Sequence, residues 1–473
     1  MNKLLKISDA KYVALINKLK KLIEGSVFEG HVYIVGGFVR DAIMGRPIKD
    51  VDLVIDTPDG GIAFATWATY NTGCFANEKN PCLFKTYGTA KFQFTNDPEV
   101  ADIELECVQT RKEKYNNKES RNPSTAFGTI EEDAMRRDLT INALYYNIST
   151  DEVCDFTNRG LHDIEHNIIR TTGDANMIFD DDPLRILRVV RFSNRFGWPI
   201  EKNTWLGMVT NSKRVSILSQ ERVTDELNKM LVSDNPSGAL IKLDRCNVLD
   251  KVIPALTISK HVYQHLTPQI TLYEHTLDVL DKTPKRLETR LAALFHDVGK
   301  IKTYDKNFLF HQNVGAEMAE DVLRAMKYSN AIISKVKLAI EHHEDFSSYM
   351  GSSIPRPAVI RKFVSNFDGD DDTLDIALDL IHANNISQIY GKKARLVPGI
   401  RAKIKELDKK NESGKNIVIP VNGNEVMAHL GIRPSKILGT IFDKLKIACI
   451  KEPGLTKEDA LAIAKAEYEK IVV

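Results

Sequence analysis

Residues 31–55 read HVYIVGGFVRDAIMGRPIKDVDLVI, and this stretch constrains the chain more than any other. A β-branched run, Val32 to Val35, meets two adjacent glycines, a short segment, a Gly-Arg-Pro loop and a second β-branched run. That order predicts a strand, a glycine turn, a short helix, a loop and a second strand. Gly36 and Gly37 let backbone N–H groups come close to a triphosphate, and Arg40 adds a fork of donors. Asp50 and Asp52 are two apart, so in a strand they share a face while Val51 and Leu53 turn into the core. Two like charges so placed repel each other, and a divalent cation removes that cost. Oxygen-only ligands suit Mg²⁺, which rides on one or two carboxylates plus substrate phosphates. Two such ions would serve an attacking hydroxyl and a leaving pyrophosphate. Glu104 and Glu106, also two apart on a later strand-like segment, offer a third carboxylate, and Glu106 is the preferred one.

The chain has 473 residues, and at roughly 150 residues per domain about three domains are expected. A hydrophobic fraction of 43% with 27% charged residues is that of a folded, soluble chain. Lys+Arg 65 against Asp+Glu 64 excludes a uniformly basic wrapper for nucleic acid, but not a local basic face. No apolar run of spanning length occurs, so no membrane segment is expected. The N-terminal 25 residues read as an amphipathic helix capped by Asp9 and stopped by Gly25, without signal-peptide features. Six scattered cysteines without a CxxC pattern fit reduced thiols in a cytoplasmic setting.

Strand-like segments follow near 88–94 and 101–110. The polar stretch 111–128 reads as mobile, and from about residue 131 the chain turns helical apart from a short strand or two near 144–171. The first third is therefore mixed α/β and the remainder mostly α, an α+β class overall. Candidate linkers are 235–238, 347–357 and 409–416. Residues 391–415 hold nine Lys/Arg and three Asp/Glu, a local basic excess that suits either a solvated helix face or nucleic-acid contact.

GGFVRD (36–41) with KDVDLVI (49–55) resembles the nucleotidyltransferase superfamily of DNA polymerase β. Residues 111–144, ending in RRDLTINAL, FDDDPLRILRVVRFSNRFGW (179–198) and SQERVTDELNKML (219–231) narrow this. In that order they resemble the class II tRNA nucleotidyltransferases, the CCA-adding enzymes, and bacterial poly(A) polymerases. The resemblance implies a polymerase β-like head over 1–150, a helical nucleotide-selecting neck over 151–232, a body over 233–390 and a tail over 391–473 that contacts tRNA. It implies template-independent addition of C, C and A to the tRNA 3′ acceptor end from CTP and ATP. Asp50 and Asp52 would hold Mg²⁺ and act with Glu106 in catalysis. Gly36, Gly37, Arg40, Arg137, Asp182, Arg185, Arg188 and Arg191 would contact the nucleotide, and Asp138 and Asn142 would read the ribose and brace the motif. Asp181 stands where the family often has Glu. The family's full CCA enzymes need a flexible loop near 111–128, so the presence of that stretch argues against CC-only addition.

Base choice by Asp182 and Arg185 has a physical rationale. Asp182-Pro183 suits a helix start, with Asp as cap and Pro as first residue. A carboxylate only accepts hydrogen bonds and a guanidinium only donates. Cytosine and adenine present an amine beside a bare ring nitrogen, whereas uracil and guanine present a carbonyl beside a ring N–H. The pair therefore matches C and A, and a wrong base leaves unpaired groups at about 1–3 kcal/mol each. Arg185, Arg188, Arg191 and Arg195 fall near one helical stripe, and the absence of lysine favours bidentate phosphate or carboxylate pairing.

His275, His296-Asp297, His311 and His342-His343 resemble, in order, the HD superfamily of metal-dependent phosphohydrolases. That resemblance implies a second divalent metal site from His275, His296, Asp297, His311 and His343. Asn384 stands where a final Asp is usual, and a neutral amide is a poorer cation ligand than a carboxylate. In the tail, LGIRPSKILG (430–439) leads into a helix whose start, with Arg433 and Lys436, suits an RNA phosphate. The competing functions are A-only, CC-only or poly(A) addition, an HD-type phosphohydrolase acting on nucleotides or RNA ends, and a non-enzymatic RNA binder.

Overall fold

The computed structural model describes residues 5, 7–74, 80–114, 124–264, 270–349, 353–387, 394–415 and 417–472. It divides into two compact units, one of residues 1–230 with 238–252, the other of 231–237 with 253–473. The mixed α+β class is as the sequence predicts, with the sheet confined to the first unit.

The strands of the first unit are β1 (Val32–Val35), β2 (Val51–Ile55), β3 (Cys82–Phe84), β4 (Thr89–Phe92), β5 (Leu105–Gln109), β6 (Arg111–Lys114), β7 (Ser124–Phe127), β8 (Leu144–Asn147) and β9 (Glu152–Asp155). Seven of them form one sheet in the order β3-β4-β5-β2-β1-β8-β9. Neighbours are antiparallel except β2 and β5, which run parallel. A parallel pair needs a crossover. Here it is α3 (Gly60–Thr72) followed by β3 and β4, after α1 (Ala10–Ile23) and α2 (Gly37–Ile43). Gly61 makes the crossover close: a Cβ there would sit 2.6 Å from the Cys107 carbonyl oxygen of β5. The Asp9 carboxylate caps α1 by accepting from Lys11 N–H. The α1 face formed by Leu15, Ile16, Leu19 and Ile23 is buried in the head core with Phe64 and Ala68 of α3. Burying such side chains stabilises by about 1.5–3 kcal/mol each.

Two sequence readings change. The stretch 111–128 is not a plain loop: its ends pair as the β6–β7 hairpin, Arg111 opposite Phe127 and Lys114 opposite Ser124, while 115–123 lie outside the described residues. Residues 235–238 are not a linker, because Pro236 opens the helix Pro236–Arg245. Proline's fixed φ and missing N–H suit a first helical turn as well as a loop, so the local composition does not separate the two.

Further helices of the first unit include α4 (Ile130–Met135), α5 (Gly160–Glu165), α6 (Ala175–Asp181), α7 (Leu184–Phe196), α8 (Lys202–Asn211) and α9 (Gln220–Leu231). The second unit is helical. Leu272–Lys282, Leu287–Phe295, His311–Ala325, Asn330–Glu341 and Asp371–Asn385 pack on one another. At its C-terminal end Gly423–Leu430, Lys436–Lys451 and Lys457–Val472 share a small core around Val426, Ile441, Leu445 and Ala464. The basic excess after 391 is largely paired where it is described. Arg401 meets Asp375 and Asp379, Lys403 and Lys410 meet Glu406, and Lys415 meets Asp371 and Asp408. All six cysteines are free, and among the described residues no helix is long and apolar enough to cross a membrane.

Candidate active site

Sheet register brings the first acids together. In the parallel ladder Asp52 stands directly opposite Glu106, and in the antiparallel ladder on its other side it stands opposite Val35. The next residue after Val35 is Gly36, so the glycine turn leaves the sheet beside Asp52. Gly36 has φ +73°, a left-handed conformation that favours glycine, and Gly37 is the first residue of α2.

Asp50 differs from its expected place. The ladder of β2 starts at Val51, so Asp50 lies one residue ahead of the strand. Asp50, Asp52 and Glu106 are nonetheless exposed along the same open cleft of about 540 Å³, which Lys11, Lys49 and Lys91 also line. Val51 and Leu53 are buried, as the alternation requires. Glu104 precedes β5 and takes the Lys91 ammonium at 2.5 Å, which leaves Glu106 as the carboxylate in register with Asp52. The crowding has an electrostatic signature. Desolvation by the surrounding protein, then the Glu106 charge, push the Asp52 carboxyl up to about 6, with Asp50 adding to the rise. The donor set is all oxygen and anionic, which fits a hard divalent cation shared with substrate phosphates.

A chain of contacts runs from the glycine turn into the helices. Arg40 is buried, donates to Asp41 at 2.7 and 2.8 Å and to Asn142 Oδ1 at 2.5 Å, and so faces protein. Asn142 donates to Asp138 at 3.2 Å, and Asp138 accepts from Arg188 at 2.7 Å. Arg191, one turn on, donates to the buried Glu226 of α9 at 2.6 Å, and Arg188 lies 4.0 Å from the same carboxylate. Burial alone would raise Asp138, but the Arg188 charge and hydrogen bond hold it below the usual carboxylate range. Arg137 donates to Asp133 and to the Tyr145 hydroxyl at 2.8 Å. Asp133 is fully buried. Its burial works against ionisation, yet Arg137, Arg136 and the Tyr145 hydroxyl hold it down to about 2.

Asp182 follows α6 in an extended conformation, and its side chain accepts from Leu184 N–H at 3.1 Å; α7 begins at Leu184 with Pro183 in the cap position, one residue later than the sequence predicts. Its other oxygen accepts from Arg222 of α9 at 2.8 Å. Arg185 is buried and donates to the Ile178 carbonyl at 3.3 Å. Arg195 lies 3.6 Å from Asp41. The structure thus gathers Gly36, Arg40, Asp138, Asn142, Arg188 and Arg191 into one network. Asp182 and Arg185 stand together at the start of α7. Asp41, Asp133, Tyr145, Arg222 and Glu226 escaped the sequence reading. Their signal was position inside quoted motifs, DELNKML for Glu226 and GGFVRD for Asp41, but not what they touch.

In the second unit, His275, His296, Asp297, His311 and His343 are all buried, and they form two groups of three convergent donors that share Asp297. Burial opposes ionisation of Asp297, but the His296 and Lys300 charges around it hold its carboxyl well below the usual range. Asp297 Oδ1, His311 Nε2 and His343 Nε2 make no hydrogen bond, so the cluster suits a cation. Asn384 lies on the helix Asp371–Asn385, and its side-chain oxygen is also buried without a hydrogen bond.

The chain matches three family descriptions in sequence: "Poly A polymerase head domain" over 32–170, "Probable RNA and SrmB- binding site of polymerase A" over 197–259 and "HD domain" over 269–370. A tRNA nucleotidyltransferase of Schizosaccharomyces pombe is 27% identical over 97% of this chain and 95% of its own. The Multifunctional CCA protein of Nitrosomonas europaea is 30% identical over 62% of this chain and 67% of its own. The CCA-adding enzyme of Bacillus stearothermophilus, solved in complex with CTP, shares the fold with a TM-score of 0.66 at 19% identity, over 98% of this chain and 99% of that one. The chain belongs to the class II tRNA nucleotidyltransferases, the CCA-adding enzymes, and carries an HD-type body.

Proposed function

We propose that this enzyme completes tRNA 3′ ends, adding C, C and A without a nucleic-acid template from CTP and ATP, and that it does so in the cytoplasm. The observation that carries the chemistry is the register of Asp52 with Glu106 beside the Gly36–Gly37 turn. Asp50 and Asp52 would hold Mg²⁺, which when bound supplies charge neutralisation for the attacking 3′-hydroxyl and the leaving pyrophosphate. Gly36 and Gly37 admit the triphosphate to backbone N–H groups at the start of α2. Glu106, accessible and next to Asp52, is placed to accept a proton from the 3′-hydroxyl. Transfer of this kind is mostly positioning and charge stabilisation.

Asp182 and Arg185 read the base edge. For Asp182 to accept from the cytosine or adenine amine, Arg222 gives up its bond to the same carboxylate. Arg188 and Arg191, oriented by Asp138 and Glu226, hold the face of α7 against the nucleotide. Functionally the chain reads as head (1–150), neck (151–232), body (233–390) and tail (391–473), the tail contacting tRNA through the start of the helix Lys436–Lys451. The body cluster is a second candidate for a divalent cation. The test is incorporation of CTP and ATP on tRNA lacking its terminal CCA, with 3′ ends sequenced. Ordered CCA supports the reading, and A-tailing or a stop at CC contradicts it.

A further inference from the structure

Of the arginines along α7, Arg188 is paired with Asp138, Arg191 with Glu226, and Arg185 is buried against the Ile178 carbonyl. Arg195, at the C-terminal end of the helix, is different. Its side chain is 39% exposed, and its carboxylate neighbour among the described residues is Asp41 at 3.6 Å. Asp41 is already in use, because both of its oxygens accept from Arg40, at 2.8 and 2.7 Å. Arg46 belongs to the Gly-Arg-Pro loop that follows α2, and its backbone N–H donates to the Asp41 carbonyl at 2.8 Å. Among the described residues its guanidinium makes no ion pair and lies against an aromatic ring.

That ring gathers the cations. The guanidinium carbons of Arg40, Arg46 and Arg195 lie 5.3, 4.7 and 5.3 Å from the centroid of Phe196. An aromatic face attracts a guanidinium and fixes the plane of its donor fork, but it neutralises no charge. Three guanidiniums therefore share one carboxylate. The crowding has a signature: burial, and with it the Arg40 and Arg46 charges, draw Arg195 below the usual guanidinium range against the pull of Asp41. Lys242 of the helix Pro236–Arg245 reaches the same end of α7, 3.4 Å from Asn194 Oδ1, and its own charged neighbour is the cation Arg245.

The basic stretch after residue 391 is the opposite case, since its described cations meet carboxylates. Cations held together without matching acids attract an anion of several charges. Guanidinium forks match phosphate oxygens bidentately. Two features favour successive phosphodiesters over a single triphosphate. The glycine turn already offers backbone N–H groups to the triphosphate, whereas these cations come from separate elements: the loop after α2, the end of α7 and the helix Pro236–Arg245. Arg46 also stands four residues before Asp50, so their backbones lie within about 14 Å of each other, close enough for a strand whose 3′-hydroxyl meets the head acids.

We propose that Arg46 and Arg195 bind backbone phosphates of the RNA acceptor strand just behind its 3′ end, with Lys242 continuing the track. The proposal rests on the reading of this chain as an RNA 3′-end transferase, and it assigns the place where the acceptor, rather than the nucleotide, is held.

The test is binding of fluorescently labelled tRNA lacking its terminal CCA to the full chain, read by anisotropy without any nucleoside triphosphate, so that no turnover is needed. Arg46→Gln and Arg195→Gln are each expected to weaken binding about tenfold near ~50 mM salt and less than about twofold near ~0.5 M, a salt slope shallower by about one. Arg195→Lys keeps the charge and stays within about threefold of the parent at the lower salt. CTP binding, followed separately by calorimetry, changes by less than about twofold in both Gln variants. In the unsubstituted protein, where folding is not in question, bound tRNA protects Arg46 and Arg195 from phenylglyoxal, read by peptide mass spectrometry, and CTP does not. An unchanged salt slope in both Gln variants, a loss of CTP binding equal to the loss of tRNA binding, or no protection by tRNA would overturn the proposal. RNA binding that depends on both arginines in a protein that incorporates neither C nor A would support this site and contradict the transferase reading.

Discussion

The two acidic centres of this chain solve opposite electrostatic problems. In the head, Asp52 is crowded by other carboxylates on an open cleft, and its carboxyl is pushed up to about 6. In the body, Asp297 is sealed from solvent, yet His296 and Lys300 draw its carboxyl well below the usual range. The first centre stays crowded with carboxylates although Lys11, Lys49 and Lys91 line the cleft, and in the proposed function a cation with a nucleoside triphosphate completes it. The second carries much of its counter-charge within the chain, and only the Oδ1 side is left without a partner. An open anionic cleft suits turnover with a phosphate-bearing substrate, and a closed imidazole cluster suits a resident ion.

Breaking the head centre has the largest expected effect. Asp50→Ala with Asp52→Ala removes several kcal/mol of charge stabilisation, so incorporation falls by roughly a thousandfold or more. The thermal midpoint stays within a few degrees, because both side chains are exposed. Next is Glu226→Gln, which strips the charge from a buried partner of Arg188 and Arg191. Arg188 keeps Asp138 and both arginines are only partly buried, so the loss falls mainly on Arg191 and costs about 1–3 kcal/mol, read by urea unfolding, and raises KM for both nucleotides. Asp182→Ala comes third. Discrimination against UTP and GTP falls by about ten- to a hundredfold while the fold persists, read from 3′ ends made with all four nucleotides.

The smallest effect sharpens the contrast in charge. Because the fold raises the Asp52 pKa, the protonated form contributes stability at low pH, and that contribution is lost as pH rises from about 4 through about 6. In the proposed function Mg²⁺ binds the ionised form, which offsets the loss. It should therefore raise the thermal midpoint at about pH 7.5 and not at about pH 5. Asp52→Asn should abolish the Mg²⁺ response at about pH 7.5 as well.

What could be read from the sequence was local. The turn at Gly36, the buried flanks Val51 and Leu53, and the Asp182 bond to the Leu184 N–H each follow from a few neighbouring residues. Glu106 was harder: its place beside Asp52 depends on a crossover of some fifty residues that ends in a parallel pair, and Glu104 satisfied the same alternation. Only the register and the Lys91 contact separate the two. The arginines of α7 were visible as a stripe, but not that Asp138 and Glu226 hold them, since a buried ion pair leaves no periodic trace. Residues 235–238 looked like a linker because proline opens helices and loops alike. In the body, the order of histidines was plain. The division of Asp297 into a satisfied and an unsatisfied oxygen follows from Lys300 and Gln264, which no spacing rule singles out.

The most direct test of the nucleotidyl-transfer account is the 3′-end sequence of a tRNA lacking CCA after incubation with this enzyme, Mg²⁺ and all four nucleoside triphosphates. The account expects ends that stop at CCA and carry neither U nor G. Untemplated A-tails, ends halted at CC, or addition that survives the loss of both Asp50 and Asp52 would contradict it.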